Sequence, residues 1–166
     1  MDNTEELFPV VDEAGNITGS IKRREAHGGS MALHPVVHLH VLDPQGNIYL
    51  QKRPEWKDIQ PGKWDTACGG HVDLGENVRT ALMREAREEL NIKDFDINEL
   101  DHYVFESQRE RELVYVHTTI ISGDIHPNTD ELAGGRFWSR KEIMSNIDND
   151  VFTPNFINEF KKYFID

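Results

Sequence analysis

A glycine-containing loop followed by a carboxylate-rich helix constrains this chain more than any other feature. The loop is Gly69-Gly70-His71-Val72-Asp73-Leu74-Gly75-Glu76. Apolar residues then recur at every fourth position, at Val78, Leu82, Ala86 and Leu90. This period predicts an amphipathic helix that begins near Glu76. Asn91 suits the C-terminus of that helix, because asparagine tolerates the left-handed backbone.

Three carboxylates converge near the end of the predicted helix. Each residue of an α-helix advances by about 100° around the helix axis. Viewed along that axis, Glu89 lies roughly 40° from Glu85 on one side, and Glu88 lies about 60° from Glu85 on the other side. They border the apolar stripe, so we expect them where the helix meets a sheet. Negative charge concentrated there costs stability unless a cation binds, and Mg²⁺ and Mn²⁺ prefer oxygen ligands. The alternative is a solvated face with helix-stabilising pairs such as Arg84–Glu88.

The remaining pattern predicts strands before and after this helix, and further helices at the end. A hairpin runs from Val10 to Ile21 around Gly15-Asn16. Further strands are predicted at 34–42, 48–53, 100–107, 113–122 and 136–138, and helices at 139–146 and 154–164. This order predicts an α+β or α/β sandwich.

Length, charge and cysteine content exclude several classes of protein. The chain has 166 residues, a length that favours a single domain spanning residues 1–166. Residues 1–30 are expected to form an N-terminal hairpin and the segment that leads into the rest of the domain. Its net charge of −12 argues against a nucleic-acid polymer as partner. The single Cys68 fits a reducing compartment, and neither an apolar span nor a secretory signal is apparent. We therefore expect a cytoplasmic protein that does not bind membranes.

The loop and helix together resemble the signature box of the Nudix hydrolases. Gly70, Glu76 and the run Arg84-Glu85-Ala86-Arg87-Glu88-Glu89-Leu90-Asn91-Ile92 stand at the spacings of that motif, so the box spans 69–92. Ala86 stands where a larger aliphatic residue is usual, and Asn91 replaces a glycine. Neither departure removes a metal ligand.

The resemblance implies an α/β/α sandwich with a mixed β-sheet, in which the box forms loop–helix–loop. It also implies hydrolysis of a nucleoside diphosphate derivative or a similar small-molecule diphosphate. By this match Glu85, Glu88 and Glu89 hold Mg²⁺ or Mn²⁺, and one box glutamate activates water. Glu76 and Arg84 are expected to pair and to lock the helix.

Basic residues before the box are candidates for contact with substrate phosphate. These are Lys52, Arg53, Lys57 and Lys63, of which Arg53 offers bidentate geometry. We select Arg53 and Lys57, with Gly69 and Gly70, as the expected substrate-binding residues. Trp56 and Trp64 can stack on a base, although packing in a loop or core is the simpler expectation for both.

Outside the box, the segment from Val10 to Trp138 resembles the branch containing type-I isopentenyl-diphosphate isomerase and related hydrolases. In that isomerase three histidines and a Glu-x-Glu pair hold a metal. The matching positions are His27, His34, His71, Glu110 and Glu112. Three imidazoles and two carboxylates suit Mn²⁺ or Zn²⁺, so the resemblance implies a possible second metal site. The same five residues can also be ordinary polar residues.

One departure bears on the reaction. Gly69 stands where the isomerase has its catalytic cysteine, and strand alternation would point the adjacent Cys68 to the opposite face. Cys68 is therefore expected to be a small buried residue, and hydrolysis is favoured. The open alternatives are isopentenyl-diphosphate isomerisation and a non-catalytic nucleotide-sensing module. The sequence indicates neither the substrate nor the oligomeric state.

Overall fold

The structure, a computed structural model, describes residues 5–165 and contains four helices and nine strands within them. The strands are β1 (Leu7–Val11), β2 (Ile17–Lys22), β3 (Leu33–Leu42), β4 (Ile48–Lys52), β5 (Trp64–Thr66), β6 (Cys68–His71), β7 (Asn98–Glu106), β8 (Arg111–Ile120) and β9 (Gly134–Trp138). The helices are α1 (Arg23–Ala26), α2 (Val78–Leu90), α3 (Arg140–Asn146) and α4 (Pro154–Tyr163). Residues 1–4 and residue 166 of the predicted domain lie outside the described residues.

The strands form two sheets. β1 and β2 pair as an antiparallel hairpin. The second sheet has seven strands in the order β5-β4-β3-β8-β7, with β6 paired to β3 and β9 paired to β4. The predicted α+β class with a mixed β-sheet is confirmed. No helix among residues 5–165 is long and apolar enough to cross a membrane.

The chain divides into two compact units, each made of three segments. The first unit comprises the segments ending at His38, Gly69–Glu85 and Asn98–His117. The second comprises Leu39–Cys68, Ala86–Ile97 and the segment from Thr118 onward. The single domain expected from chain length stays a prediction.

In the first unit, the predicted hairpin is confirmed. Its turn is closed by Asp12, whose backbone N–H donates to the Asn16 carbonyl at 2.9 Å. Gly15 has a φ of 87°, and a Cβ there would lie 2.5 Å from the Tyr115 hydroxyl. A small core of Val11, Leu33 and Leu113 packs beneath this region.

In the second unit, an apolar core packs β4 against the C-terminal helices. Its buried members are Ile48, Leu50, Trp138, Ile143, Phe152, Phe156 and Phe160. Thr153 caps α4 by accepting from the Phe156 N–H, and Pro154 occupies the first turn. The fully buried His40 contacts Glu159 at 2.8 Å between Nε2 and Oε1, so this histidine has a structural partner.

The sequence pattern missed two strands, β5 and β6. Each is only three or four residues long, and β6 contains two glycines, so neither carries a readable period. α2 begins at Val78, two residues after Glu76. Asn91 has a φ of 56°, so the predicted left-handed residue after the helix is confirmed.

Candidate functional site

A two-pronged ion pair holds the loop before α2 against the helix. Arg84 donates from Nε to Glu76 Oε2 at 2.8 Å and from Nη2 to Glu76 Oε1 at 2.9 Å. The Asp73 N–H also donates to Glu76 Oε1 at 2.9 Å. These hydrogen bonds hold the pKa of Glu76 below its usual 4.5, and the hydrogen bond from Arg84 has the largest effect. The structure thus brings Glu76 and Arg84 together as a bidentate, charge-assisted pair.

Arg84 also reaches two other parts of the box. Its Nη1 donates to Glu85 Oε1 at 2.7 Å, and its Nη2 donates to the His71 carbonyl at 3.1 Å. One guanidinium therefore contacts the end of β6, the loop and Glu85, the first of the three box carboxylates.

Gly70 lies where Glu85 packs against β6. A Cβ built on Gly70 would lie 2.2 Å from the Glu85 carboxyl carbon, much closer than real Cβ contacts allow. The glycine of the box is needed because the Glu85 carboxylate takes the space of a side chain there.

Glu88 and Glu89 lie in the last turn of α2, where Asn128 satisfies carbonyls of the helix end. Asn128 donates from Nδ2 to the Glu88 carbonyl at 3.2 Å and from its backbone N–H to the Glu89 carbonyl at 2.8 Å. Gln51 of β4 donates from Nε2 to Glu89 Oε2 at 2.9 Å. The sequence reasoning missed both contacts. Gln51 did leave a signal, as a polar residue directly after the buried run Ile48–Leu50.

The bidentate ion pair between Glu76 and Arg84 leads to a prediction about the stability of the protein. We expect Glu76→Gln to lower the free energy of unfolding by about 1–3 kcal/mol, because hydrogen bonds to a charged group are lost. The lowered pKa of Glu76 means that its contribution is present at neutral pH and disappears as the pH falls through that pKa. Urea unfolding at pH 7 and at low pH measures this difference. Equal stability of the two proteins at pH 7 would contradict it.

Five side chains from four parts of the first unit converge in a second cluster. His27 Nε2 lies 3.1 Å from His71 Nε2 and 3.3 Å from Glu110 Oε2. His34 Nε2 lies 4.0 Å from Glu110 Oε2 and 3.9 Å from Glu112 Oε2. The ligand atoms of His27, His34 and His71 lie within 4.8 Å of one another, as do those of His34, Glu110 and Glu112. The structure therefore brings together all five residues matched to the isomerase metal site.

The donor set of this cluster fits a cation. His34 is fully buried, and its Nδ1 lies 3.1 Å from the Ala32 carbonyl. Because a carbonyl only accepts, Nδ1 carries the proton, and the lone pair of the neutral ring lies on Nε2. That Nε2 has no hydrogen-bond partner among residues 5–165. A buried lone pair beside two carboxylates is the arrangement that a metal ion would satisfy.

The ionisation of the cluster supports the same interpretation. Burial raises the pKa of Glu112 to about 7, and the nearby charge of Glu110 adds to the rise. Burial lowers the pKa of His34 and holds that of His71 well below 6.5. Neutral imidazoles cannot compensate the carboxylates, whereas a divalent ion would.

Phe8 of β1 forms a wall of this cluster, which the sequence did not indicate. Its ring stacks on His71 with centroids 4.5 Å apart and on His34 with centroids 5.8 Å apart. Phe8 is fully buried, so the imidazoles lie against an apolar surface. Phe8 lies before the predicted hairpin, which begins at Val10, so no sequence pattern pointed to this contact.

The basic residues selected for phosphate are engaged within their own loop. Arg53 donates to the Ile59 carbonyl from Nε at 3.1 Å and from Nη2 at 2.8 Å, and it lies 3.6 Å from Asp65. The Lys57 ammonium lies 4.9 Å from the centre of the Trp56 ring. Phosphate binding by Arg53 and Lys57 stays a prediction.

Trp56 and Trp64, the two tryptophans considered for stacking on a base, differ in environment. Trp64 packs against the core of the second unit, as expected. Trp56 is 68% exposed, so the expectation that it packs in a loop or core is wrong. Its loop places the ring outward, where the Lys57 side chain covers part of it.

Cys68 and Gly69 of β6 have different surroundings. Cys68 is fully buried, and the expectation of a small buried residue is confirmed. A Cβ on Gly69 would lie 3.3 Å from His38 Cδ2, which is a different environment from that of the buried thiol.

Comparison with known proteins identifies the family. A family model for the NUDIX domain matches residues 32–160. An isopentenyl-diphosphate Delta-isomerase from Mycolicibacterium vanbaalenii is 30% identical over 137 residues, which are 79% of this chain and 76% of that protein. An uncharacterized Nudix hydrolase from Yersinia pestis is 30% identical over 150 residues, 90% of this chain and 81% of that protein.

A solved structure agrees with the fold. The crystal structure of DR0079 from Deinococcus radiodurans has a TM-score of 0.82 to this chain at 21% identity, covering 96% of this chain and 100% of that one. Metal binding is typical of the Nudix family, whose domain model matches this chain. The chain belongs to the Nudix family, in a branch whose members carry the names of both hydrolases and isopentenyl-diphosphate isomerases.

Proposed function

We propose that this protein hydrolyses a diphosphate linkage in a nucleoside diphosphate derivative or a similar small molecule. The observation that carries the proposal is the complete carboxylate set of the box, Glu85, Glu88 and Glu89, on a helix that Arg84 ties to the preceding loop. These three carboxylates would hold Mg²⁺ or Mn²⁺, which prefer oxygen ligands. The donor chemistry, three carboxylate side chains within the last two turns of α2, suits such an ion.

The chemistry follows from charge. A diphosphate is an anion in a protein whose net charge is already −12, so a nucleophile approaches it only when that charge is offset. When bound, a divalent ion neutralises phosphate charge and lowers the pKa of coordinated water. A box glutamate then accepts the proton of the attacking water. Glu76 accepts two hydrogen bonds from Arg84 and Glu85 accepts one, which favours Glu88 or Glu89 for that step.

Isomerisation is the second candidate, and one observation favours it. The His/Glu cluster reproduces the ligand set that the resemblance assigns to the isomerase metal. Against it, the isomerase cysteine is replaced by Gly69, and the neighbouring Cys68 is buried. A non-catalytic sensing module is disfavoured, because such a module has no need of all the box glutamates.

We further propose that His27, His34, His71, Glu110 and Glu112 bind a second ion, Mn²⁺ or Zn²⁺. The buried His34 Nε2 and its two neighbouring carboxylates support this proposal. An ion there would add positive charge to a strongly anionic protein, so the cluster can assist phosphate binding even without the cysteine.

The second site leads to a prediction about metal content. We expect His34→Ala to remove one equivalent of Mn²⁺ or Zn²⁺ per chain, because it deletes a buried donor between two carboxylates. Metal analysis of dialysed protein, and titration with each ion, measure the stoichiometry. His102→Ala removes an exposed histidine of β7 and should keep the full content. Identical metal content in His34→Ala and wild-type protein would overturn the second site.

The proposed function is tested with a panel of substrates. Nucleoside, sugar, dinucleotide and isoprenoid diphosphates are incubated with the protein and Mg²⁺ or Mn²⁺, and released phosphate products are quantified. We expect at least one class to be cleaved, with no cleavage when a chelator removes the metal. Lack of cleavage across all four classes would contradict the proposal.

A further inference from the structure

Gln51 is a buried amide aimed at the box helix. It lies on β4 after Ile48, Tyr49 and Leu50, and only 7% of it is exposed. Its Nε2 donates to Glu89 Oε2 at 2.9 Å and to the Ala67 carbonyl at 3.3 Å. A buried amide costs free energy unless it is hydrogen-bonded, so an apolar residue of similar size would suit the strand better for packing alone.

The partners fix which way the amide points. Both groups near Nε2, a carbonyl and a carboxylate, are acceptors. A flipped amide would put its own carbonyl oxygen against them, which would leave three acceptors together. Gln51 is therefore a donor to Glu89, and the Ala67 carbonyl holds the second amide proton in place. This geometry stabilises one rotamer of the Glu89 side chain.

We propose that Gln51 is a positioning residue for Glu89, holding Oε2 so that the carboxylate is presented in one orientation to the box metal. This inference rests on the proposed function, in which Glu89 is a metal ligand. Residues that orient metal ligands typically change metal affinity or activity by about 10- to 100-fold when removed. Because a Glu89 oxygen is occupied by the amide, the preorganised carboxylate binds the ion with less loss of side-chain freedom.

The test is a double-mutant cycle on Mn²⁺ affinity. Gln51→Met keeps the length of the side chain and removes the donor, and Glu89→Gln removes the charged ligand. Mn²⁺ binding is followed by electron paramagnetic resonance in a His34→Ala background, which deletes the other proposed site. We expect Gln51→Met alone to weaken Mn²⁺ binding about 10- to 100-fold. In the Glu89→Gln background, the same change should have less than about a twofold effect, because the group it positions is gone.

Two controls separate positioning from general damage. Gln45→Met changes an exposed glutamine in the turn before β4 and should leave Mn²⁺ affinity unchanged. Gln51→Asn keeps the amide but shortens its reach, so it should weaken Mn²⁺ binding while folding as wild type. If Gln51→Met fails to fold, this variant replaces it in the cycle.

The outcomes distinguish this inference from the proposed function. Weaker binding in Glu89→Gln but wild-type affinity in Gln51→Met and Gln51→Asn would overturn the role of Gln51 and leave the hydrolase proposal standing. Unchanged affinity in Glu89→Gln would instead remove Glu89 from the metal site, which overturns the role of Gln51 and leaves hydrolysis to be decided by the substrate panel. Additive losses would also overturn the inference, because independent effects are not positioning.

Discussion

Replacing Glu89 or Glu88 with glutamine should lower turnover by about 100- to 10,000-fold, the range that a general base or an equivalent charged group supplies. The two residues lie in the last turn of α2, whose final carbonyls Asn128 holds. Glutamine keeps the shape of the side chain but removes the charge that binds a hard cation and accepts a proton. The structure of the helix should persist, since removing one of three neighbouring carboxylates relieves repulsion in the metal-free protein.

The measurement is turnover on a substrate identified from the diphosphate panel, together with thermal unfolding. Glu99→Gln changes an exposed carboxylate of β7 and serves as the matched control, with turnover expected near wild type. Wild-type turnover in both Glu88→Gln and Glu89→Gln would remove these residues from catalysis. A large loss of thermal stability in either would indicate a structural role instead.

The second large effect concerns which reaction occurs. Incubated with isopentenyl diphosphate in heavy water, the protein should give no deuterated dimethylallyl product. An isomerase must add a proton to one carbon and remove a proton from another. At the position of the catalytic cysteine of the isomerase, this chain has Gly69, which carries no acid or base. The neighbouring thiol of Cys68 is fully buried and presents no exposed surface.

Mass spectrometry of the recovered diphosphate measures the incorporation directly. Deuterium in a dimethylallyl product that disappears in Cys68→Ala would overturn the assignment to hydrolysis. Gly69→Cys offers a complementary variant, since the atoms nearest to a Cβ there are His38 Cδ2 at 3.3 Å and the Val37 carbonyl at 3.4 Å, which a small shift of the His38 ring accommodates. Isomerisation gained by Gly69→Cys would show that the missing thiol is what separates this chain from the isomerases.

The sequence predicts features that depend on local periodicity or on a dense motif. α2 follows from the spacing of apolar residues along one helix, and the Glu76–Arg84 pair follows from the box. β3 follows from the alternation of apolar and polar residues, and the hairpin follows from its turn residues. The five-residue cluster was found only through resemblance, because its members are up to 85 positions apart, from His27 to Glu112.

Other contacts depend on tertiary packing that no local pattern encodes. Gln51 meets Glu89 across 38 positions, and Asn128 meets Glu88 across 40. Phe8, which lies outside every predicted element, stacks on His71 across 63 positions. β5 and β6 escaped detection because three or four residues cannot establish a period. Such features require knowing which strands become neighbours.

Transfer of an oxygen atom from water to the product distinguishes hydrolysis from every other reaction considered for this protein. The diphosphate that is cleaved fastest in the panel is incubated with Mg²⁺ or Mn²⁺ in ¹⁸O-labelled water, with wild-type protein and with Glu89→Gln. We expect one ¹⁸O atom in one of the two phosphate-containing products of the wild-type reaction, and we expect Glu89→Gln to form this product at least about 100-fold more slowly. Products without solvent oxygen, or equal rates of labelling in the two proteins, would contradict hydrolysis at the box carboxylates.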